Sequence, residues 1–301
     1  MTHKNAAPPV LPILICLLGV FLLSVMDAAV KGLVLAIGAY NALLWRSAFA
    51  SLAAGLAWTA TAKTRPDAKA LRLHALRGIV VSFVALAFFW GLGRLPLAEA
   101  IALSFIAPLV ALFLAAMLLG ERIGRSVIAA SVIGLLGVVV ILLGKFSGTY
   151  APDALHGVVA IIASAILYAY NLVLTRRLAL IAKPVEVVFS MNLTVLVVLG
   201  LAAPWLGVWP AADQWAPILA MTALALGGHA AMSWAYARTE AQYLIPTEYS
   251  AFVWAAILGW FLFDEAVGWT TVVGAMLITA GCLLASRSRP RFAEPIEATA
   301  V

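Results

Sequence analysis

Three stretches of this 301-residue chain set polar side chains where apolar ones would be expected. "SAILYAYNLVLT" carries Ser164, Tyr168, Asn171 and Thr175, spaced by four, three and four, so all share one stripe of a helix. "SVMDAAVK" gives a shorter stripe of Ser24, Asp27 and Lys31, and "TALALGGHAAMSWAY" a third with Thr222, His229, Ser233 and Tyr236. Glu248 follows Pro246 in "YLIPTEYSAFVW", with Tyr243, Tyr249 and Trp254 around it, and Arg46 stands inside "NALLWRSAFASL". Such groups are costly in an apolar medium and normally face a cavity, a bound solute or another helix. A carboxylate there can hold an amine or carry a proton, a guanidinium can hold a carboxylate, and a histidine can exchange a proton near neutral pH. Plainer readings exist for each. Polar stripes also serve as interhelical hydrogen bonds, Asp27 and Lys31 can pair at i,i+4, and Arg46 can turn outward onto an acid such as Asp27. His229 is read as the one histidine inside a span, a hydrogen-bonded neutral group or a contact to substrate.

Composition says what medium these groups sit in. The chain is 65% hydrophobic and only 11% charged, with a mean hydropathy of +1.07. A soluble domain carries roughly 25% charged residues, so polar surface for water is lacking. Period-two alternation is absent, which argues against a membrane barrel. The fold class is therefore all-α integral membrane. Cys16 and Cys282 fall inside apolar runs and read as small hydrophobes. The early apolar run ends on Asp27 and Lys31 without a small-residue cleavage site, so it reads as a first membrane helix rather than a leader.

A spanning helix needs about 20 residues. Apolar runs between breakers give ten: Leu11–Val30, Asn41–Thr61, Leu76–Leu92, Leu97–Leu119, Ser126–Leu143, Ala154–Arg176, Val185–Leu206, Trp215–Tyr236, Ala241–Phe263 and Gly268–Ser286. The tail after Ser286 is polar and expected to be disordered. With both termini in the cytoplasm, fifteen of the 19 Lys and Arg fall in inside segments, Arg77 among them. Lys31, Arg94 and Lys145 fall outside, and Arg46 lies within a span. That asymmetry sets the orientation and accounts for the net charge of +6 without nucleic acid.

The two halves also resemble each other. At an ungapped offset of 144, Trp90 and Arg94 fall on Trp234 and Arg238, Glu121 on Glu265, Gly124 on Gly268 and Gly137 on Gly281. Five helices per half is odd, so the halves enter the membrane from opposite sides: an inverted repeat around a central cavity, with residues 11–144 and 154–286 as the repeats, 1–10 as a cytoplasmic N-terminus and 287–301 as a cytoplasmic tail. The "GER" joint at Glu121 then lies inside with Arg122 and Arg125. The "DEA" joint lies outside, where Asp264 and Glu265 have no base beside them.

"ALSFIAPLVALFLAAMLLGERIGRSVIAASVIGLLGVVVILLG" and its partner "PTEYSAFVWAAILGWFLFDEAVGWTTVVGAMLITAGCLL" resemble the signature helix pair of the drug/metabolite transporter superfamily, EamA type. "NALLWRSAFASLAAGL" is similar to that family's second helix, with Arg46 where an arginine is usual. The resemblance implies a ten-helix basket whose first, third, fourth, sixth, eighth and ninth helices line the cavity. Trp90 and Ser104 then join Ser24, Asp27, Tyr168, Asn171, His229, Ser233, Tyr236, Glu248 and Tyr249 as cavity residues. Glu248, His229, Arg46 and Lys31 are the charge or proton-coupling candidates.

It also implies a secondary transporter exporting small metabolites, amino acids first, across the bacterial inner membrane by alternating access. Partners would be a small-molecule substrate, the bilayer and protons, with no nucleic acid, in a monomer or weak homodimer. A drug or nucleotide-sugar carrier differs only in cargo. An embedded enzyme would need a nucleophile, metal or phosphate-loop constellation, and a channel a repeated filter; neither pattern is present, and no cofactor or metal site is expected.

Overall fold

The fold is taken from a computed structural model that describes residues 10–61, 67–119, 125–146, 153–179, 181–182, 184–238, 244 and 247–287. The Glu121 joint, Tyr243, Pro246 and the C-terminal tail fall outside these residues. Among the described residues every element is helical.

Helix α1 runs Val10–Thr61 and turns sharply at Gly38, where φ 79 and ψ 157 leave helical space. Only glycine takes that conformation without strain, so it divides α1 into two arms. The expected gap between Val30 and Asn41 is helical on both sides of Gly38, and Gly32 within it keeps helical backbone. Helix α2 spans Ala68–Leu92 and starts eight residues ahead of the predicted Leu76. Its N-cap is Asp67, whose carboxylate accepts from the Ala70 amide at 2.7 Å. This earlier start draws His74 into the helix and moves Arg77 from its first turn to its interior. The predicted fourth span is two pieces, α3 Leu97–Ser104 and α4 Ala107–Leu119. Pro108 has no amide hydrogen to continue the ladder, and Phe105 and Ile106 close short turns onto Ala102 and Leu103 instead.

The chain continues as α5 Arg125–Phe146, α6 Ala154–Ala179, α7 Pro184–Gly200, the single turn α8 Ala203–Leu206, α9 Trp215–Tyr236, α10 Ser250–Phe263 and α11 Trp269–Arg287. His156 thus lies in the first turn of α6 rather than in a loop. Four helical stretches are long and apolar enough to cross a bilayer, and the remainder includes apolar helices of 10–17 residues. Leu11, Leu14, Leu18, Leu52, Leu56, Leu135 and Val139 are exposed along the flanks, with Trp205, Trp209 and Trp269 exposed beside the helix ends. That pattern suits hydrocarbon with tryptophan at its borders.

Helix α1 packs on α9, α2 on α6 and α5 on α11, while α7 touches both α1 and α2. Small residues let these pairs approach. A Cβ on Gly91 would stand 2.9 Å from the Gly157 carbonyl, and one on Gly274 would stand 2.6 Å from the Gly137 carbonyl. The 144-residue offset recurs in local geometry. At the ends of α2 and α9, Arg94 and Arg238 each donate to the carbonyl of the tryptophan four residues back at 3.1 Å. Each guanidinium also covers that tryptophan's ring, at 3.4 and 4.0 Å from the centroid. Beyond α7, Asn41 and Trp45 bind the Val208 amide and carbonyl at 2.8 and 3.0 Å, pinning the loop before α9 to the second arm of α1.

Gly274→Val forces a side chain into the α5–α11 crossing, and overpacking of this kind costs about 1–3 kcal/mol. The detergent-solubilised variant should melt several degrees below the parent. Gly32→Ala, where an added Cβ meets nothing within 4 Å, should leave the midpoint unchanged. Equal melting of the two variants would contradict the crossing.

Candidate functional site

The first cluster sits where α10 ends. Asp264 takes the left-handed conformation (φ 54, ψ 33), which turns the chain back so that the Glu265 amide bonds the Gly259 carbonyl at 3.1 Å. The Glu265 carboxylate then points inward, into space left by the missing side chain of Gly259. It forms an ion pair with Lys31 of α1 and accepts from the Leu97 amide at 2.8 Å, the first residue of α3. Lys31 also donates to the Leu95 carbonyl at 2.5 Å and lies over the Phe263 ring. The partner of Lys31 is therefore Glu265, 234 residues away, instead of Asp27 one turn below. Glu265 in turn is not without a base, as its joint alone implied.

The second cluster lies deeper. Asp27 lies on the first arm of α1 and Arg46 on the second, and no ion pair joins them among the described residues. Arg46 lies over the Phe89 ring of α2, 5.6 Å from its centroid, and its buried Nε has no hydrogen-bond partner among the described residues. His229 of α9 is exposed and within electrostatic reach of Arg46. Its Nδ1 bonds the Ala225 carbonyl at 2.7 Å. A carbonyl can only accept, so Nδ1 carries the hydrogen and Nε2 is left as an acceptor.

A third cluster joins α2, α6 and the start of α10. Arg77 is buried at 9% exposure, and its Nε donates to Asn171 Oδ1 at 3.0 Å and Thr175 Oγ1 at 2.9 Å. Tyr168, one turn back on α6, is 44% exposed and lies within electrostatic reach of both Arg77 and Glu248. Glu248 accepts a hydrogen bond from Tyr236 of α9. Tyr249 packs edge-on against Phe105 at the α3–α4 break, with ring centroids 5.1 Å apart. The Phe105 carbonyl there accepts from Cys282 Sγ at 3.2 Å. Cys282 thus supplies a donor to a broken helix as well as bulk, and Cys16 accepts from Thr247 at 3.0 Å.

The remaining predicted residues are placed more plainly. Ser24 and Ser104 turn back onto the carbonyls of Val20 and Ala100 at 2.9 and 2.8 Å. Trp90 is covered by Arg94. Ser233 is exposed beside His229 on α9. The Ser164 end of the α6 stripe faces α2, donating to the Val84 carbonyl at 2.8 Å.

Three polar groups escaped the sequence reading. Arg77 was counted among loop charges and His74 placed in a loop, yet both lie in α2, with His74 against Glu186 of α7 at 2.9 Å. Glu99 of α3 is 2% exposed and accepts from Thr271 at 3.1 Å. Asp67, a capping residue just ahead of "AKALRLHALRG", was the available signal for the longer α2.

Residues 10–143 and again residues 155–287 match the EamA-like transporter family. A pseudopaline exporter of Pseudomonas aeruginosa is 28% identical over 279 residues, 92% of this chain and 96% of that protein. An aromatic amino acid exporter of Ancylobacter novellus is 31% identical over 46% of this chain and 48% of its own length. An S-adenosylmethionine uptake transporter of Rickettsia prowazekii is 26% identical over 70% of each chain. A protein crystal structure shares the fold at a TM-score of 0.58 and 23% identity, covering 92% of this chain and 96% of that one.

Glu265→Ala strips the buried Lys31 of its partner and α3 of its cap. Breaking one side of a buried pair costs about 3–5 kcal/mol. Thermal unfolding in detergent should drop by many degrees, and Glu265→Gln, which still accepts from Leu97, should fall less. A wild-type midpoint for Glu265→Ala would refute the role of the pair.

Proposed function

The chain belongs to the EamA-like transporter family, membrane carriers of the drug/metabolite transporter superfamily that act on small molecules, and on that premise we propose that it exports small zwitterionic metabolites, amino acids first, by alternating access. Ten spans form two inverted five-helix repeats, residues 11–144 and 154–286, around a polar cavity in a bacterial inner membrane, with both termini cytoplasmic. The family match to each half supports the repeat. So do the contacts: exchanging the halves converts α1 on α9 into α6 on α2, and α1 on α10 into α6 on α4, and all four pairs are in contact.

The observation that carries the cargo class is the gathering of opposite charges and hydrogen-bonding groups from both halves. Asp27 and Arg46 come from α1 and His229 from α9, while Arg77, Tyr168 and Glu248 come from α2, α6 and the approach to α10. A zwitterion needs one group of each sign, and nucleotide cargo would call for a more basic lining. The aromatic amino acid exporter among the relatives agrees with this reading. Glu248, held by Tyr236, is the proton-coupling candidate, since its hydrogen bond survives protonation with the roles reversed. Inward transport is the second reading, favoured by the relative that is an uptake transporter.

Proteoliposomes holding the pure protein should move labelled amino acids, faster under a pH gradient, while excluding unrelated solutes of similar size. Leak of every small solute would point to a channel. Glu248→Gln should cut flux at least tenfold or flatten its pH dependence without lowering protein yield. For orientation, cysteines at the exposed Ala211 and Lys69 should react with an impermeant thiol reagent from the periplasmic and cytoplasmic sides respectively. Labelling from one side alone would overturn the topology.

A further inference from the structure

We infer that Arg77 anchors the carboxylate of the cargo: its two Nη groups bind the anionic end, and Tyr168 supplies a hydroxyl beside them. This rests on the transport reading above and adds which group takes the negative end of the solute.

Arg77 lies about 14 Å along α2 from Ala68, among Leu76, Ile79 and Phe83, which are exposed as hydrocarbon-facing residues are. A cation buried at such a depth is normally paired with an acid. Arg77 is not. Among the described residues its partners are the neutral oxygens of Asn171 and Thr175, and both bonds fall on Nε. Its Nη groups have no partner among the described residues, yet they are not sealed. Other cations within the apolar helices differ, since Lys31 already holds Glu265 and the Nε of Arg46 is closed off. Arg77 is thus a positive charge fixed in direction by two hydrogen bonds, with its forked end uncommitted and no counter-charge. That fork matches the two oxygens of a carboxylate.

The space beside it opens inward. Contacts of Gly91 with Gly157, Ser164 with Val84 and Arg77 with Asn171 set α2 and α6 antiparallel in one continuous register. Tyr168 lies three residues from Asn171 on the same face, where Cβ atoms stand about 5–6 Å apart. Leu155, Val159 and Ile166 are exposed on the lipid side of α6. At 3.6 residues per turn, Tyr168 stands roughly 200° around from Ile166. Its exposure therefore opens into the bundle and not to hydrocarbon. A guanidinium edge and a phenol one turn apart offer donors, which a carboxylate needs and an ammonium cannot use.

The test uses the full-length protein in a nonionic detergent and follows the melting midpoint against the concentration of two matched sets of compounds. One set is phenylalanine, 3-phenylpropionate, phenylalaninamide and 2-phenylethylamine; the other is leucine, 4-methylpentanoate, leucinamide and 3-methylbutylamine. Wild type should be stabilised by both acids of each set and not by the amide or amine of the same skeleton. Arg77→Gln should weaken the acids about 10- to 100-fold, as expected for loss of charged hydrogen bonds, and bring them level with the amides. Asn171→Ala and Thr175→Val free Nε but keep the charge. They should weaken the acids less and leave them ahead of the amides, which keeps the inference testable if Arg77→Gln folds poorly.

Amides that stabilise wild type as well as the acids do, or variants that keep full wild-type affinity for the acids, overturn the assignment. So does phosphatidylglycerol in the micelles if it abolishes the effect of the acids, because the anion held at Arg77 is then a lipid headgroup. If Arg77→Gln moves amino acids across proteoliposomes as fast as wild type, the transport reading stands and this assignment alone falls. Absence of both binding and transport in wild type defeats the two together.

Discussion

The Lys31–Glu265 pair ties together three elements that the chain brings to the same place from distant parts of the sequence. Lys31 is 4% exposed and Glu265 18%, so each would be an expensive isolated charge. Their partnership is supported on both sides: Lys31 also reaches the Leu95 carbonyl, and Glu265 takes the Leu97 amide at the positive end of α3. Gly259 matters because a side chain there would occupy the place of the carboxylate. In an alternating-access cycle, this end of the bundle opens only if the α10–α11 joint parts from α1 and α3. In such a cycle the pair would bias the protein toward closure at that end, by a margin that binding energy or a competing contact would have to offset.

The same constraint separates scaffold from site. In an apolar interior, a group whose bond is met within the protein, as that of Ser164 is by Val84 and that of Cys282 by Phe105, is a fastener between helices. A buried group without a partner among the described residues, as Arg46 Nε is, costs stability. Lys31, Arg46 and Asp27 look alike in the sequence as charges inside apolar runs. Structure divides them by partner: Lys31 is spent on architecture, whereas Arg46 Nε has no hydrogen-bond partner among the described residues.

What the sequence made legible follows from which signals are local. Helical class and membrane medium are written in composition, and the repeat is written in Trp90, Arg94 and Glu265 against their offset partners. The polar stripes on α6 and α9 were readable from spacing because a helix face is a local property. Pairings were not. The i,i+4 spacing of Asp27 and Lys31 offered a plausible partner, but the actual acid lies 234 residues on, and no periodicity reports that distance. Helix ends were misplaced for a related reason. Asp67 and Pro108 act through single hydrogen bonds gained or lost at a cap, and those outweigh hydropathy at the boundary. Arg77 was missed because a basic residue near a predicted boundary counts as topology until the helix is known to begin earlier.

The bend at Gly38 divides α1 into two arms that are anchored differently. Asp27 and Arg46 lie on opposite arms of one helix, so their separation is governed by the angle at the single glycine that turns it. The second arm is not free to drift, since Tyr40 bonds the Leu199 carbonyl at 2.5 Å and Trp45 and Asn41 hold Val208. The first arm is bound instead to α9 and, through Lys31, to the joint after α10. A solute that bound between the two arms would fit best at one arm angle, and by linkage would stabilise whichever state of the bundle has that angle.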